Sequence, residues 1–405
     1  MRSARSLNVV LVPLLVSILV GMSVLTACTS AAPTPQSTVK PAESKGTPAA
    51  ATTAPAKPAE AAKPAETKPA AATPATAAKP AEAAKPAAPT KEVTWRMQSI
   101  YPATDLSTSV QGKMVMDTLN QKLAGKLKIN MFLPGQIVPE EEMFDALGKG
   151  VFDAAITGAP WQAGILPEGM VAFGLPMGWQ NVDQLFEFFY KYGFLKFMRD
   201  AHEKYNVFYA APLPASPLPI ISNFPMRKVD DIKGKKIWAM GGNSAYVQKL
   251  GGTPVGFPPA EMYMGLKLGT IDGAIYSLAE LETSKYKEVV KYINWPAVVD
   301  PLAVEFLINK KAWDALSPDV QKVIEDTLVE IGPPMFKKYA ESDNAGVEAA
   351  KQYGVQEVQL DEAELPKARA AAAEVWKDTA AKSDNAAKAV QMLKDYLATK
   401  GVRID

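Results

Sequence analysis

From residue 29 to residue 90 the chain is almost entirely Ala, Pro, Thr and Lys, and Ala-Lys-Pro-Ala-Glu recurs at 56–60, 62–66 and 78–82. Such a segment has almost no large apolar side chain to offset the entropy of ordering its backbone. Its prolines also remove helix donors and favour extended, polyproline-like geometry. It therefore bounds any fold: a packed body begins only at about residue 91, and the stretch before it reads as a tether. A stalk explains it better than a recognition motif, because no Pro-x-x-Pro here is flanked by aromatic or arginine anchors. The remaining stretch of about 315 residues exceeds the size at which one hydrophobic core usually stops growing, so two lobes are expected.

Upstream of the tether, Arg2 and Arg5 precede an uncharged apolar run from Leu7 to Leu25, closed by Leu25-Thr26-Ala27-Cys28. Cys28 is the only cysteine, so no disulfide braces the fold. A basic start, an apolar run and small residues before the cysteine describe an export signal. The run is also of borderline length for a membrane anchor, but no basic stop follows, and residues 29–39 carry no charge. The Leu-Thr-Ala-Cys box resembles bacterial lipoprotein signals, which implies a mature chain beginning at a lipidated Cys28. Residues 1–27 then form the signal peptide and 28–90 the lipidated tether, placing the protein outside the cytoplasmic membrane and holding it there by a lipid.

Two Arg, seven Lys and four Glu fall within residues 1–90, which leaves 35 of the 44 basic and 39 of the 43 acidic side chains for residues 91–405. The body is mildly acidic and offers no electrostatic footprint for nucleic acid, nor for anionic lipid beyond the anchor.

Strand signals at Val93-Thr94-Trp95-Arg96-Met97, Lys128-Ile129-Asn130-Met131-Phe132 and Lys236-Ile237-Trp238-Ala239-Met240 alternate with helical stretches, which predicts an α/β class. Helix starts are marked by Pro139 with Glu140, Glu141 and Glu142, by Pro259 with Glu261, and by Ser317-Pro318-Asp319. Beyond Ser317, Val320, Val323, Ile324, Leu328 and Ile331 keep helical spacing. Ala-rich helices follow to Lys400, with a kink expected at Pro333-Pro334.

Catalytic constellations are missing. One histidine, His202, and a single cysteine read as lipidated exclude Cys-His dyads and multi-histidine metal sites. His202 lies in the polar run Arg199-Asp200-Ala201-His202-Glu203-Lys204 and reads as a solvated surface residue. No nucleophile-elbow or phosphate-loop box occurs, and Gly241-Gly242-Asn243-Ser244 lacks the spacing of a nucleotide fingerprint. Glu140, Glu141 and Glu142 read as helix-capping acids. A hydrolase with paired carboxylates distant in sequence stays open, without local support. The chain reads as a binder, with no catalytic residue, metal or cofactor.

From about Thr94 to about Ile331 the chain resembles the DctP-type solute-binding proteins of TRAP (tripartite ATP-independent periplasmic) transporters. Trp95-Arg96-Met97-Gln98-Ser99 with Pro102 is similar to the first strand and ligand loop of the subgroup that binds 2-oxo acids and related monocarboxylates. The likeness continues through Leu127-Lys128-Ile129, Pro134-Gly135, Met143-Phe144-Asp145-Ala146-Leu147 and Leu175-Pro176-Met177-Gly178-Trp179. It extends over Asp231-Ile232-Lys233-Gly234-Lys235-Lys236-Ile237, Leu250-Gly251-Gly252-Thr253-Pro254-Val255, Gly269-Thr270-Ile271-Asp272-Gly273 and Asn309-Lys310-Lys311-Ala312-Trp313-Asp314-Ala315-Leu316-Ser317. The resemblance implies a two-lobed, type II periplasmic-binding-protein-like fold with a long helix spanning both lobes and a ligand cleft between them. The expected lobes are 91–212 with 301–405, and 213–300, with crossings near Pro212 to Pro219 and at Asp300-Pro301.

Two departures stand out. Most members of this family carry an arginine after the Lys-Gly-x-Lys-Ile run to grip a ligand carboxylate; Trp238 stands at that place, leaving Arg96 as a substitute donor or merely a strand-edge residue. Where the 2-oxo acid subgroup has Glu-Trp, the glutamate helping to hold a bridging cation, this chain has Ile275 and Tyr276, so no metal is expected. Tyr101, Trp161, Trp179, Trp238 and Tyr276 instead fall where strand-to-loop turns of the fold face the ligand. Gln98, Ser99, Thr157, Asn243 and Ser277 are placed to orient polar ends. Rings of this kind suit an apolar or cationic solute, although each is equally a packing residue. Trp238→Ala is expected to remove the ligand response while sparing the fold. The resemblance further implies TRAP permease subunits as partners and leaves open a homodimer through the C-terminal helices. A tethered sensor or scavenger using the same cleft is the alternative.

Overall fold

The computed structural model describes residues 92–257 and 259–404; the readings made on Cys28 and on the signal and tether segments lie outside them. Two sheets organise the body. The first is ordered β2-β1-β3-β10-β4, from β1 (Val93–Ser99), β2 (Leu127–Phe132), β3 (Ala154–Thr157), β4 (Val207–Pro214) and β10 (Ala303–Asn309). The second is ordered β11-β9-β5-β8-β6-β7, from β5 (Leu218–Ser222), β6 (Lys236–Trp238), β7 (Thr253–Val255), β8 (Gly273–Ile275), β9 (Tyr292–Val299) and β11 (Gln356–Gln359).

Each sheet has central strands buried at every residue, β3 and β10 in the first and β8 in the second, as strands covered on both faces must be. β1 runs parallel to β2 and β3, while β10 pairs antiparallel with β3 and β4. Glu305 is the one charge-bearing residue of β10. It is fully buried, accepts a hydrogen bond from Gln162 Nε2, and leaves Oε1 without a partner. Burial pushes its carboxyl up to about 8, so it is held largely protonated at neutral pH.

The chain leaves the first sheet at the end of β4, passes through Ala215, Ser216 and Pro217, and enters the second at β5. It returns from β9 through Asp300, Pro301 and Leu302 to β10. The two crossings are joined by backbone bonds, Ala215 N–H to Leu302 O at 2.8 Å and Leu302 N–H to Ser216 O at 3.2 Å. A third crossing, by the long helix expected to span both lobes, brings β11 into parallel pairing with β9 of the second sheet, so the segment after residue 301 does not belong wholly to the first lobe.

Helices complete the layers, and α1 (Met114–Lys122) covers the first sheet. In α2 (Phe194–Glu203) the buried stripe is Phe194, Phe197, Met198, Ala201 and His202, at the i, i+3, i+4, i+7 and i+8 places of one face. His202 is therefore buried, not solvated. Its Nδ1 donates to Met198 O at 2.8 Å, its ring meets Tyr209 edge-on at 5.2 Å, and desolvation lowers its pKa to about 4, leaving the imidazole neutral.

α3 (Gly242–Leu250) opens on the second sheet's side of the molecule. α4 (Pro318–Tyr353) carries Pro333 and Pro334, the place of the expected kink, inside one continuous helix. Its Val320, Ile324, Leu328, Ile331, Met335 and Tyr339 pack in the core of the first sheet, and its Ala350 packs in that of the second. α5 (Leu365–Ala380) and α6 (Asp384–Ala398) pack on both lobes. Trp376 Nε1 donates to Pro176 O at 2.9 Å, Tyr396 Oη donates to Glu187 at 2.9 Å, and Lys249 of α3 pairs with Asp378 at 2.9 Å. Among the described residues no helix is long and apolar enough to cross a membrane.

Candidate functional site

The carboxyl ends of β1, β6 and β8 open into a cleft of about 860 Å³ between the two sheets, floored by the crossing segments and α4. Open α/β sheets leave their crevice at this end because the chain must turn away from each parallel strand there. Ile100 and Tyr101 follow β1, Met240 follows β6, and Tyr276 and Ser277 follow β8; Ser216 and Leu302 come from the crossings and Tyr339 from α4. A second hollow of about 500 Å³ lies between α5 and α6, walled largely by alanines and lysines, and gathers no converging set of polar groups.

Six of the residues singled out in the sequence line the cleft: Tyr101, Trp161, Trp238, Asn243, Tyr276 and Ser277. Trp238 is only 4% exposed, donates from Nε1 to Phe257 O at 2.9 Å, and meets Tyr276 edge to face with centroids 5.3 Å apart. It belongs to the core of the second lobe as well as to the cleft wall. The expectation that Trp238→Ala spares the fold is therefore withdrawn. Trp161 is 39% exposed at the rim. Asn243 is the second residue of α3, whose N-cap Gly241 has a φ of 55° that suits glycine and an absent Cβ that leaves room for Met170. Ser277 Oγ donates to Ser216 Oγ at 3.0 Å, joining the cleft to the crossing.

The other five stand elsewhere. Arg96 is exposed, and its guanidinium donates to Val151 O, away from the cleft. Thr157 is buried within β3. Trp179 is 3% exposed in the core, its Nε1 donating to Pro301 O at 2.8 Å. Gln98 is fully buried: its Oε1 accepts from Ile137 N at 3.1 Å and Val138 N at 3.0 Å, while its Nε2 donates to Val138 O at 2.7 Å. Ser99 Oγ accepts from Tyr101 N at 3.1 Å. These two act behind the wall, Gln98 pinning the loop that leads to Glu140 and Ser99 fixing Tyr101.

Sequence reasoning missed the acids. Asp105, Glu140, Glu141 and Glu280 line the cleft; the Glu140–Glu142 stretch does form a first helical turn, which is what its proline signalled. The carboxylate at the hinge was missed too. Asp343 of α4 reaches the crossing, its Oδ1 accepting from Ser216 Oγ at 2.9 Å and from Ala279 N at 2.9 Å, while its buried Oδ2 has no partner. Burial raises the pKa of Asp343 to about 6, and raises that of Asp300 on the second crossing to about 6 as well.

Ile275 lines the cleft and offers no donor where the resemblance places a cation-holding glutamate. Among the described residues no group of three or more His, Cys, Asp or Glu is placed to hold a metal ion. The site does not fit a bridging cation of that kind.

Comparison with known proteins gives a consistent result. The family model "DctP: Bacterial extracellular solute-binding protein, family 7" matches residues 100–383. The chain is 26% identical over 252 residues to a monocarboxylate 2-oxoacid-binding periplasmic protein of Nostoc sp. PCC 7120, covering 61% of this chain and 68% of that protein. A TRAP periplasmic solute-binding protein of Rhodobacter sphaeroides, in an apo open structure, superposes with a TM-score of 0.67 at 26% identity, over 77% of this chain and 100% of that one. A TRAP solute-binding protein of Bordetella bronchiseptica RB50, solved with calcium and picolinate, shares the fold with a TM-score of 0.70 at 21% identity, over 77% of this chain and 94% of that one.

Proposed function

The chain belongs to the DctP family of bacterial extracellular solute-binding proteins, family 7, and from that premise we propose that it captures a small organic solute in the cleft and hands it, chemically unchanged, to TRAP permease subunits. The family is extracytoplasmic and binds rather than transforms its ligands. The observation that carries the reading for this chain is the cleft itself. Its walls come from two sheets joined through adjacent crossings, so a hinge motion at Ser216 and Leu302 closes it and excludes water. In this reading Cys28 bears the lipid that keeps the carrier near its permease, and residues 29–90 set the reach. Tyr101, Trp238, Asn243, Tyr276 and Ser277 contact the solute.

A melting-shift screen of the purified protein against small organic acids, amino acids and amines tests capture. Recovery of every hit unchanged after prolonged incubation is the expected result, and turnover of a hit overturns the binder reading. Metabolic labelling with a fatty acid, lost in Cys28→Ala, tests the anchor. A gene neighbourhood encoding one small and one large multi-spanning membrane protein supports delivery to a permease, whereas an isolated gene favours a tethered sensor or scavenger.

A further inference from the structure

Four carboxylates stand on the cleft wall, and among the described residues no lysine, arginine or histidine does. Asp105 follows β1 and Glu140 and Glu141 follow β2, while Glu280 follows β8 of the opposite sheet. Among the described residues none of the four forms an ion pair. Asp105 Oδ1 accepts from Ser107 N at 2.7 Å, and Glu280 Oε2 accepts from the hydroxyls of Thr283 and Ser284. The second oxygen of each is left without a described partner.

Asp105 and Glu280 both act on the phenols of Tyr276 and Tyr286. Burial raises the phenol pKa of Tyr276, and Tyr286, Glu280 and Asp105 raise it further. Tyr286 is pushed up to about 12 by burial and then by Glu280, with Asp105 adding to the effect. Glu140 is raised by burial and by its neighbour Glu141, with no cation relieving it.

Acids alone do not define a site, since most are simply hydrated. Here a second, independent feature points to a missing occupant. Tyr339 lines the cleft at 2% exposure, and its hydroxyl makes no hydrogen bond of full geometry, the Ser107 side chain being the polar group beside it. A buried hydroxyl without a partner is uncommon in folded proteins and calls for a ligand group or water to complete it. Tyr101, Trp238, Phe257 and Tyr276 line the same cleft, and the faces of aromatic rings attract positive charge.

We propose that the cleft selects an organic cation, an ammonium-bearing solute with an apolar body, its charge seated between Asp105 and Glu280 against the aromatic wall. An organic anion entering the same space meets four like charges and no counter-charge, an arrangement that rejects ligands. The apolar body lies against Phe173, Leu218 and Leu302. Tyr339 accepts a hydrogen bond from a protonated amine, which a quaternary ammonium cannot supply, so a primary amine is favoured over a quaternary one of equal size. This inference rests on the solute-capture reading and narrows it.

Two matched series, titrated calorimetrically into the purified protein, test it. One is 2-phenylethylamine, 2-phenylethanol and phenylacetate; the other is choline, 3,3-dimethyl-1-butanol and 3,3-dimethylbutanoate. In each series the cation is expected to bind about tenfold or more tighter than its neutral counterpart, and the anion not at all. Asp105→Asn and Glu280→Gln keep the acceptor oxygens that bond Ser107, Thr283 and Ser284, so apo melting should hold. Each should weaken cation binding about tenfold and leave the neutral alcohol unaffected. If only one variant folds, that variant and the decline of cation affinity with added salt carry the test. Anions binding tighter than cations overturn the cation inference and leave solute capture standing. Cation affinity unchanged in the folded variants overturns the seat between Asp105 and Glu280. Binding by none of the six overturns the cation inference, and the wider melting screen then decides solute capture separately.

Discussion

Asp343 gives the sharpest test of the hinge. Burial carries its pKa from 3.8 up to about 6; the hydrogen bonds from Ser216 and Ala279 work against that rise, and Asp300 adds to it. Because the folded value lies above the unfolded one, the folded protein holds the proton longer. Stability is full below 3.8, falls as pH rises toward about 6, and stays low above it. At about 1.4 kcal/mol per pH unit, that interval sets a ceiling of about 3 kcal/mol. Asp343→Asn keeps an oxygen for Ser216 Oγ and Ala279 N, and removes the buried charge. Its amide nitrogen takes the place of the unpartnered Oδ2, and an unpaired buried donor costs about 1 kcal/mol. The variant is therefore expected to be more stable than the parent by about 2 kcal/mol at pH 7.5, with the gain crossing zero at pH ~4.5 and turning into a loss of about 1 kcal/mol below pH ~3.5. Asp300 and Glu305 titrate in the same window, so the profile is flattened rather than levelled. Urea unfolding at fixed ionic strength between pH 3.5 and 7.5 reads both quantities. An unchanged slope across that window, or a variant less stable at pH 7.5, would refute the reasoning.

Gly346→Ala should destabilise by about 2 kcal/mol in thermal or urea melts, although alanine is the better helix former. The added Cβ would run into the Leu278 carbonyl where α4 passes the loop that carries Ser277 and Glu280. Trp238→Ala should cost about 3–5 kcal/mol of stability along with any ligand response. Trp238→Phe, which loses only the bond to Phe257 O and part of the ring, should cost about 1 kcal/mol; equal losses in the two variants would show that the indole does not fill the core. Glu305→Gln should remove a decline in stability between its ordinary 4.5 and about pH 8, because the parent carboxyl is held protonated by burial across that range; a parental slope in the variant would place the titration elsewhere.

Periodicity and turn chemistry carried much of the fold. β1, β2 and β6 alternate or run apolar in ways that survive tertiary packing, and the helix start at Pro318 is set by proline and acid in the first turn. Where local composition and burial part company, the sequence was silent. His202 sits in a charged run yet takes the i+8 place of an apolar stripe, and a string of polar neighbours does not reveal which face of the helix turns inward. β11 reads Gln-Glu-Val-Gln with only Val358 buried; an edge strand of that composition is recognisable only by its partner β9. In the site, aromatic residues after strand ends were legible because the loop positions of an α/β crevice are fixed by topology. Trp179 follows the same local pattern but turns into the core to reach Pro301. The cleft acids escaped because capping a first turn and facing a ligand call for the same residue type, and Glu140 does both.

One helix seated in two cores has a mechanical consequence. α4 is locked into the first lobe up to Tyr339 and into the second from Gly346 onward, so any change in the angle between the jaws must be absorbed by the few residues in between. Helices resist sharp bending unless a proline or an inserted group relieves them, and Pro333 and Pro334 lie on the wrong side of that short span to help. The span acts as a leaf spring: it sets the resting gape of the empty protein and pushes back against closure. Measured affinity thus includes the work of flexing it, and softening this stretch would tighten or loosen binding for every ligand alike without touching one of them.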